Sequence, residues 1–532
     1  MLKNNLILFF LIWVNSAFAQ LNSFSTPLPI VYLNTNGQVI PDEPKINAQM
    51  QIAWHEDDRP NSTDDPAAHF KGAVRIEIRG SSSQMYPKKS YGFELMDEEG
   101  LDMDFPLLGL PEEEDWILYA PYSDKSLVRN VLTFTLAARL GGYAPRCRYV
   151  ELFLNDQYQG VYVLMEKIKR DKNRVDIARL KPEDISGEDL TGGYIVKIDK
   201  VNGSGGSGWY SEFENEKQRH TFYQYEYPKS EEIKDVQADY IQNYISDFET
   251  ALYNKEYDPQ TGYAQYIDIN SFIDYFIINE IAKNVDAYRL STFLFKDKNG
   301  KLNLGPVWDF NIAYGNVDYY DAWETFGLQV NANLENDEWQ NPFWWRRFMG
   351  DRHFTQQLRC RWNDLIADVL SANNIVATVD SLVNLLEEPA ARNFQRWPVL
   401  GVYVWPNYFV AQTYPIEITW LTNWIYERMR SLHLAVPGDC ESNPEGPIEF
   451  EYNVFPNPFS RSIRLKIVSE SSIQYTFQLY DLNGAFLRES QFRTAEGDNL
   501  FKIDFPELAQ GLYFYRLIYG DNTETGKLVK VK

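Results

Sequence analysis

Two aspartates stand where burial alone would disfavour them. Asp309 lies inside the apolar run GPVWDFNIAYGN, residues 305–316, between Trp308 and Phe310, and Asp286 follows a strongly apolar stretch in NVDAYRLS. An unpaired buried carboxylate costs more than a fold readily offsets, so each needs a neighbouring donor or a metal. The interval between them is long enough to run out along one strand, turn and return. That path would bring both carboxylates to one cleft, with Asn311 on the strand face of Asp309. Oxygen ligands of this kind suit Mg²⁺ or Mn²⁺. One acid on a metal, a second orienting a hydroxyl and a strand lysine on phosphates are the parts of phosphoryl transfer. The plainer reading is a hydrogen-bonded structural Asp309 and an Asp286 that braces its loop.

The elements that must hold these residues are legible in pattern. GAVRIEIRGSSSQMYPKKSYGFELMD reads as two strands joined by a serine-rich loop. Val74, Ile76 and Ile78 alternate with Arg75, Glu77 and Arg79, and Tyr91, Phe93 and Leu95 alternate with their neighbours. Period two puts Lys89 on the Tyr91 and Phe93 side and Lys88 opposite, which favours Lys89 as the phosphate ligand. Arg79 as a plain ion-pair partner of Glu77 or Glu94 competes with a role in the cleft. SDKSLVRNVLTFTLAARLGG predicts a helix capped by Ser123 or Asp124 and stopped at Gly141-Gly142. RYVELFLNDQYQGVYVLMEKIK predicts a hairpin turning at Asn155-Asp156, with Glu166 near its end. TGGYIVKIDK adds a strand. IDINSFIDYFIINEIAKN is a helix apolar nearly all round, hence buried. A loop, a strand, an Asn-Gly turn and a second strand carrying Asp309 follow. Residues 340–435 look mostly helical, with Trp344, Trp345 and Trp397 as core rather than as a sugar platform.

Composition bounds the partners. The 532 residues are 44% hydrophobic and 15% aromatic and carry a net charge of −24, with a pI near 4.7. Such a charge repels nucleic acid. MLKNNLILFFLIWVNSAFAQ reads as a secretory signal peptide cut after Ala19, and no later segment reaches the apolar length of a membrane span. The expectation is export without a transmembrane segment. Cys147, Cys360 and Cys440 allow one disulfide and one thiol without fixing the pair. The five histidines are scattered, which argues against zinc.

RGSSSQMYPKKSY, DKSLVRN, YQGVYVLMEKIK, GGYIVKID, KNVDAYRLSTFLFKD and GPVWDFNIAYGN occur in the order of the CotH family, the spore-coat protein H-like atypical kinases. The chain resembles that family over roughly residues 28–435. The resemblance implies a divergent protein-kinase-like α+β fold and transfer of the ATP gamma-phosphate to Ser/Thr of secreted or surface proteins, with Mg or Mn. It makes Asp286 the catalytic-loop acid and Asp309, with Asn311, the metal site. It puts Lys89 or Lys88, with Arg79 and Glu166, around the nucleotide. The implied partner is a protein substrate, with a basic, Ser/Thr-rich segment the first class to test. Three positions depart from the family pattern: Asn311 stands where many members have Asp, Ser291 where many have Asn, and Lys197 where an acid is frequent. These departures keep open a catalytically inactive kinase-like surface protein that binds a glycan or extracellular polymer.

The tail carries a second resemblance. VFPNPF, DLNG, GLYFYRL and KLVKVK are similar to the C-terminal sorting domain of type IX secretion in Bacteroidetes. It implies the type IX machinery as a partner and a secreted or outer-surface location. The short alternating strands there predict a small immunoglobulin-like β-sandwich. The expected division is a signal peptide at 1–19, a kinase-like domain at 20–436, a linker at 437–449 and a sorting sandwich at 450–532.

Overall fold

Alternating side chains build the first layer. In the computed structural model, Val74, Ile76, Phe93 and Leu95 are buried in one apolar core, while Arg75 and Glu94 pair on the outside at 3.1 Å. The strands are β1 (Ile30–Asn34), β2 (Ile46–Ala53), β3 (Phe70–Arg79), β4 (Ser90–Met96) and β5 (Asp115–Tyr119). Helix α1 (Arg129–Ala138) leads to the hairpin β6 (Cys147–Leu154) and β7 (Gln157–Glu166), whose turn residues Asn155 and Asp156 both take positive φ. These seven strands close into a barrel in the order β1-β2-β3-β4-β5-β7-β6, sealed by parallel pairing of β1 with β6. The closure joins strands distant in the chain, and no local pattern announces it. The described residues are 23–440 except 58, 201–206, 333 and 336, and 452–531 except 470, 471, 482, 483, 496, 520 and 521. The expected signal peptide and residues 441–449 of the expected linker lie outside them.

A second, five-stranded sheet follows: β8 (Tyr194–Ile198), β9 (Gly208–Glu214), β10 (His220–Tyr227), β11 (Thr292–Lys296) and β12 (Leu302–Leu304), in the order β9-β10-β8-β11-β12. It shares a core with α2 (Asp235–Tyr253), α3 (Ile269–Ala282), α4 (Trp344–Met349), α5 (Arg352–Ala367), α6 (Ala372–Leu385) and α8 (Tyr414–Ala435). Helix α7 (Glu387–Arg396) lies against β7 of the barrel. Trp344, Trp345 and Trp397 are buried, in keeping with a packing role. Asp268 caps α3 by accepting from the Ser271 N–H at 2.8 Å, and the helix is buried nearly all round. A disulfide joins Cys360 of α5 to Cys440, leaving Cys147 free.

The C-terminal region is all β. Strands β13 (Tyr452–Phe455), β14 (Ser462–Ser469) and β17 (Gly497–Asp504) form one sheet. Strands β15 (Gln474–Tyr480), β16 (Phe486–Arg493), β18 (Gly511–Tyr519) and β19 (Asn522–Lys530) form the other. Leu465, Ile467, Phe477 and Leu517 from the two sheets meet in a single core. The whole is an α+β chain ending in an all-β region.

Candidate functional site

The Asp309 segment departs from the strand expected for it. Strand β12 ends at Leu304; the Gly305 N–H still donates to the Phe293 carbonyl of β11 at 2.8 Å, but Pro306 has no N–H and cannot extend the ladder. Asp309 therefore sits in a loop, in the left-handed region at φ +65°. Asn311 lies half-buried in the next turn, its carbonyl accepting from Asn316 Nδ2 at 2.8 Å, so the two do not share a strand face.

Buried polar groups hold this loop in place. Asn130 Oδ1 of α1 accepts from the Phe310 N–H at 2.6 Å, and Arg129 Nε donates to the Ala313 carbonyl at 3.1 Å. Arg129 is itself neutralised by Asp124 at 2.6 Å and Glu417 at 3.1 Å. Neither Ser123 nor Asp124 caps the helix as expected, since α1 begins later with Val128 as its N-cap, but Asp124 accepts from the Arg129 N–H at 2.9 Å. From the other side, Asn284 Nδ2 donates to the Asp309 carbonyl at 3.3 Å and the Tyr314 N–H to the Ala282 carbonyl at 2.7 Å. The end of α3 and the Asp309 loop are thus tied together.

Three acids lie close enough for their charges to be felt at Asp309. Asp286 follows the left-handed C-cap Lys283 of α3, and Asp199 follows β8. Pairing of Ile198 with Thr292 sets Asp199 level with the loop that carries Asp286. Asp309 itself is exposed to solvent, so the burial that its apolar sequence neighbours suggest is not met at this side chain. Desolvation, then the Asp286 and Asp199 charges, push its carboxyl up to about 6. Asp286 is also raised, first by desolvation, with Arg289 and Lys200 opposing. Arg289 donates to Asp286 Oδ1 and to Asp337 Oδ2, each at 2.9 Å. Arg79 lays its guanidinium over the Trp308 ring at 5.4 Å, and its charge lowers Asp309.

The cations expected around a nucleotide fare unequally. Arg79 faces this group, while Glu77 and Glu94 are taken by Lys45. Lys88 is turned into the protein, donating to the Val161 carbonyl at 2.5 Å and to Asn393 Oδ1 at 2.9 Å. Lys89 is half-buried and donates to the Gln84 carbonyl at 2.5 Å. Glu166 is fully buried under Arg146 at 2.7 Å, and Tyr143 and the Arg146 N–H occupy its other oxygen. Sequence reasoning passed over Asp199 and Glu226. Lys197 of β8, two residues before Asp199, pairs with Glu226 of β10 at 3.2 Å. That pairing gives the departure from the family pattern a compensating charge. An acid two residues beyond Lys197, at the end of a strand, was the available signal.

Among the described residues the three acids do not form a closed protein cage for a cation. Asp199, Asp286 and Asp309 do not approach the spacing at which a carboxylate set surrounds an ion. Among the described residues Asp104, Glu113 and Glu114 do, and Lys169 already sits 2.9 Å from Glu113 and 2.8 Å from Glu114. Mg²⁺ commonly takes only one or two carboxylates together with phosphate oxygens and water.

A family model described as CotH kinase protein matches residues 76–432. The chain belongs to that family. A second model, described as a secretion system C-terminal sorting domain, matches residues 453–532 of the CotH chain. That domain directs the CotH chain through type IX secretion to the cell surface or the medium. No curated protein matches it. Among solved structures, dimeric latent PorU from Porphyromonas gingivalis is similar at 19% identity over 18% of this chain, with a TM-score of 0.14. The match spans only 10% of the PorU chain.

Proposed function

We propose that this exported CotH protein is an atypical kinase that transfers the ATP gamma-phosphate to Ser/Thr of a secreted or surface protein. The convergence of Asp286 and Asp309 from two loops, with Asp199 beside them, carries the reading. In this view the barrel and the second body form a divergent kinase-like pair with the acids between them. The sorting tail is an immunoglobulin-like sandwich beginning near residue 450. Asp309, aided by Asn311, is the seat of Mg²⁺ or Mn²⁺, which when bound neutralises phosphate charge. Asp286 orients the acceptor hydroxyl and takes its proton, while Arg289 fixes the carboxylate's direction. Arg79 supplies positive charge toward the phosphates, with Lys89 on the flank. Lys88 and Glu166 support the barrel wall instead.

The test is transfer of labelled phosphate from ATP, with Mn²⁺ or Mg²⁺, to a basic Ser-rich peptide beside Asp309→Ala. Label clearly above the variant's background supports the proposal, and label equal to it overturns it. One observation favours a second reading, a non-catalytic binder of a glycan or polymer. Tyr403, Trp405 and Tyr408 are 53%, 42% and 41% exposed, and Trp405 stacks on Tyr319, whose phenol feels the Asp286 charge. Stabilisation by polysaccharide and not by metal-ATP in a thermal shift would select that reading.

A further inference from the structure

The first strand of the sorting tail breaks the alternation rule. Tyr452 and Val454 of β13 point into the tail's own core, so Asn453 and Phe455 should face solvent. Yet Asn453 is 2% exposed and Phe455 3%. Helix α8 of the CotH domain lies against β13, and the same domain covers Phe455. The Phe455 ring lies against Phe326 with centroids 5.1 Å apart. Arg430 of α8 donates to the Tyr452 carbonyl at 3.2 Å and sits 5.1 Å over its ring. Burial raises Glu324, while Lys283 and then Arg464 of the tail pull it back.

Phe326 belongs to a segment wired to the candidate site. Lys283 donates to the carbonyls of Asp321, Glu324 and Phe326 at 3.0, 2.7 and 3.0 Å, and its ammonium lies 5.7 Å over the Phe326 ring. Arg428 donates to the carbonyls of Thr325 and Gly327 and pairs with Glu280 at 3.0 Å. Glu280 accepts from Tyr288, two residues past Asp286, and from the N–H groups of Gln329 and Val330. Phe326 is thus held between the Lys283 ammonium and the Phe455 ring.

We infer that the sorting tail braces the 321–330 segment through Phe455 on Phe326, so that Phe455 is a positioning residue for the loop carrying Asp286. The Cys360–Cys440 disulfide fixes the chain just before the junction. The short connection to β13 keeps the tail at high effective concentration over this surface. The consequence for phosphate transfer rests on the proposed function, but the brace itself does not.

Hydrogen exchange on the intact chain, without nucleotide, tests the brace. Phe455→Asp and, from the other side, Phe326→Asp should each raise amide exchange about tenfold across 321–330 and also across 284–290, the loop that carries Asp286. No change at 284–290 would overturn the positioning role. The β14 and β15 amides of the tail should stay protected, and Phe455→Leu should restore protection at 321–330. Unchanged exchange at 321–330 in both Asp variants overturns the inference. So does an increase confined to the tail's own strands. Because the readout needs no catalysis, an inactive protein would leave this result standing and count only against the kinase reading.

Discussion

At Asp309 the carboxyl is held near 6 against an ordinary 3.8, by desolvation first and by Asp286 and Asp199 next. With that shift the native state holds a proton that the unfolded chain has already released, and the exposure of Asp309 to solvent keeps the effect small. Raising the pH from about 4 to about 6 strips that proton and costs the folded protein stability. Asp309→Asn should leave the melting temperature unchanged near pH 4 and raise it above pH 6, in the absence of metal. Mn²⁺ should oppose the penalty in the parent alone: its thermal shift should be small near pH 5 and full near pH 7, because the ligand must be deprotonated. A pH-independent Mn²⁺ shift, or one retained by the Asn variant, would move the metal elsewhere. The two acids were legible as residues because each interrupts an apolar run. Asp199 was not, since a strand-end acid looks like any solvated turn until Ile198 is known to pair with Thr292. Lys88 and Lys89 show the opposite failure. Period two assigned their sides, but both precede β4, which starts at Ser90, so strand alternation had no hold on them.

Among the elements, α1 was readable from its apolar period, α3 from apolar residues on nearly every face, and the β6–β7 hairpin from Asn155-Asp156. The cap expected of Ser123 or Asp124 was misplaced, because Val128 is the N-cap of α1 and no side chain caps it. The Asp309 strand was misread because apolar residues around Gly305-Pro306 mimic a buried strand. Burial there comes from α1, which grips the loop through Arg129 and Asn130. Removing that grip should act on position more than on fold. Asn130→Ala takes away the acceptor of the Phe310 N–H and should cost about 1–3 kcal/mol. Its larger effect should be weakened metal-ATP stabilisation in a thermal shift, with the far-ultraviolet spectrum unchanged. The fully buried Arg428–Glu280 pair differs. Arg428→Met leaves a buried carboxylate uncompensated and should cost about 3–5 kcal/mol in denaturant unfolding. A loss under about 1 kcal/mol there would mean that Tyr288 and the two N–H donors already satisfy Glu280.

Across the whole molecule, long-range closure decides what composition cannot. The barrel is sealed by β1 on β6, and the covalent clip joins α5 to a residue just short of the sorting tail; neither is written in a local pattern. The three cysteines permitted a disulfide, and the fold selects the pair, because the C-terminal end of α8 returns to α5. There Arg359 also donates to the carbonyls of His433 and Val436, at 2.7 and 3.2 Å. The bond encloses a sequence separation of 80 residues, so its loss restores much freedom to the unfolded chain. Stability should fall by about 2–4 kcal/mol in Cys360→Ser with Cys440→Ser. The loss should be sensed at the junction before the barrel, because the clip ties α5 to the end of α8 and touches no barrel strand. Limited proteolysis should therefore cut near residues 436–440 faster in the double variant, while β1–β7 resist digestion as in the parent. Equal digestion of both regions would instead mean that the clip supports the chain as one cooperative unit.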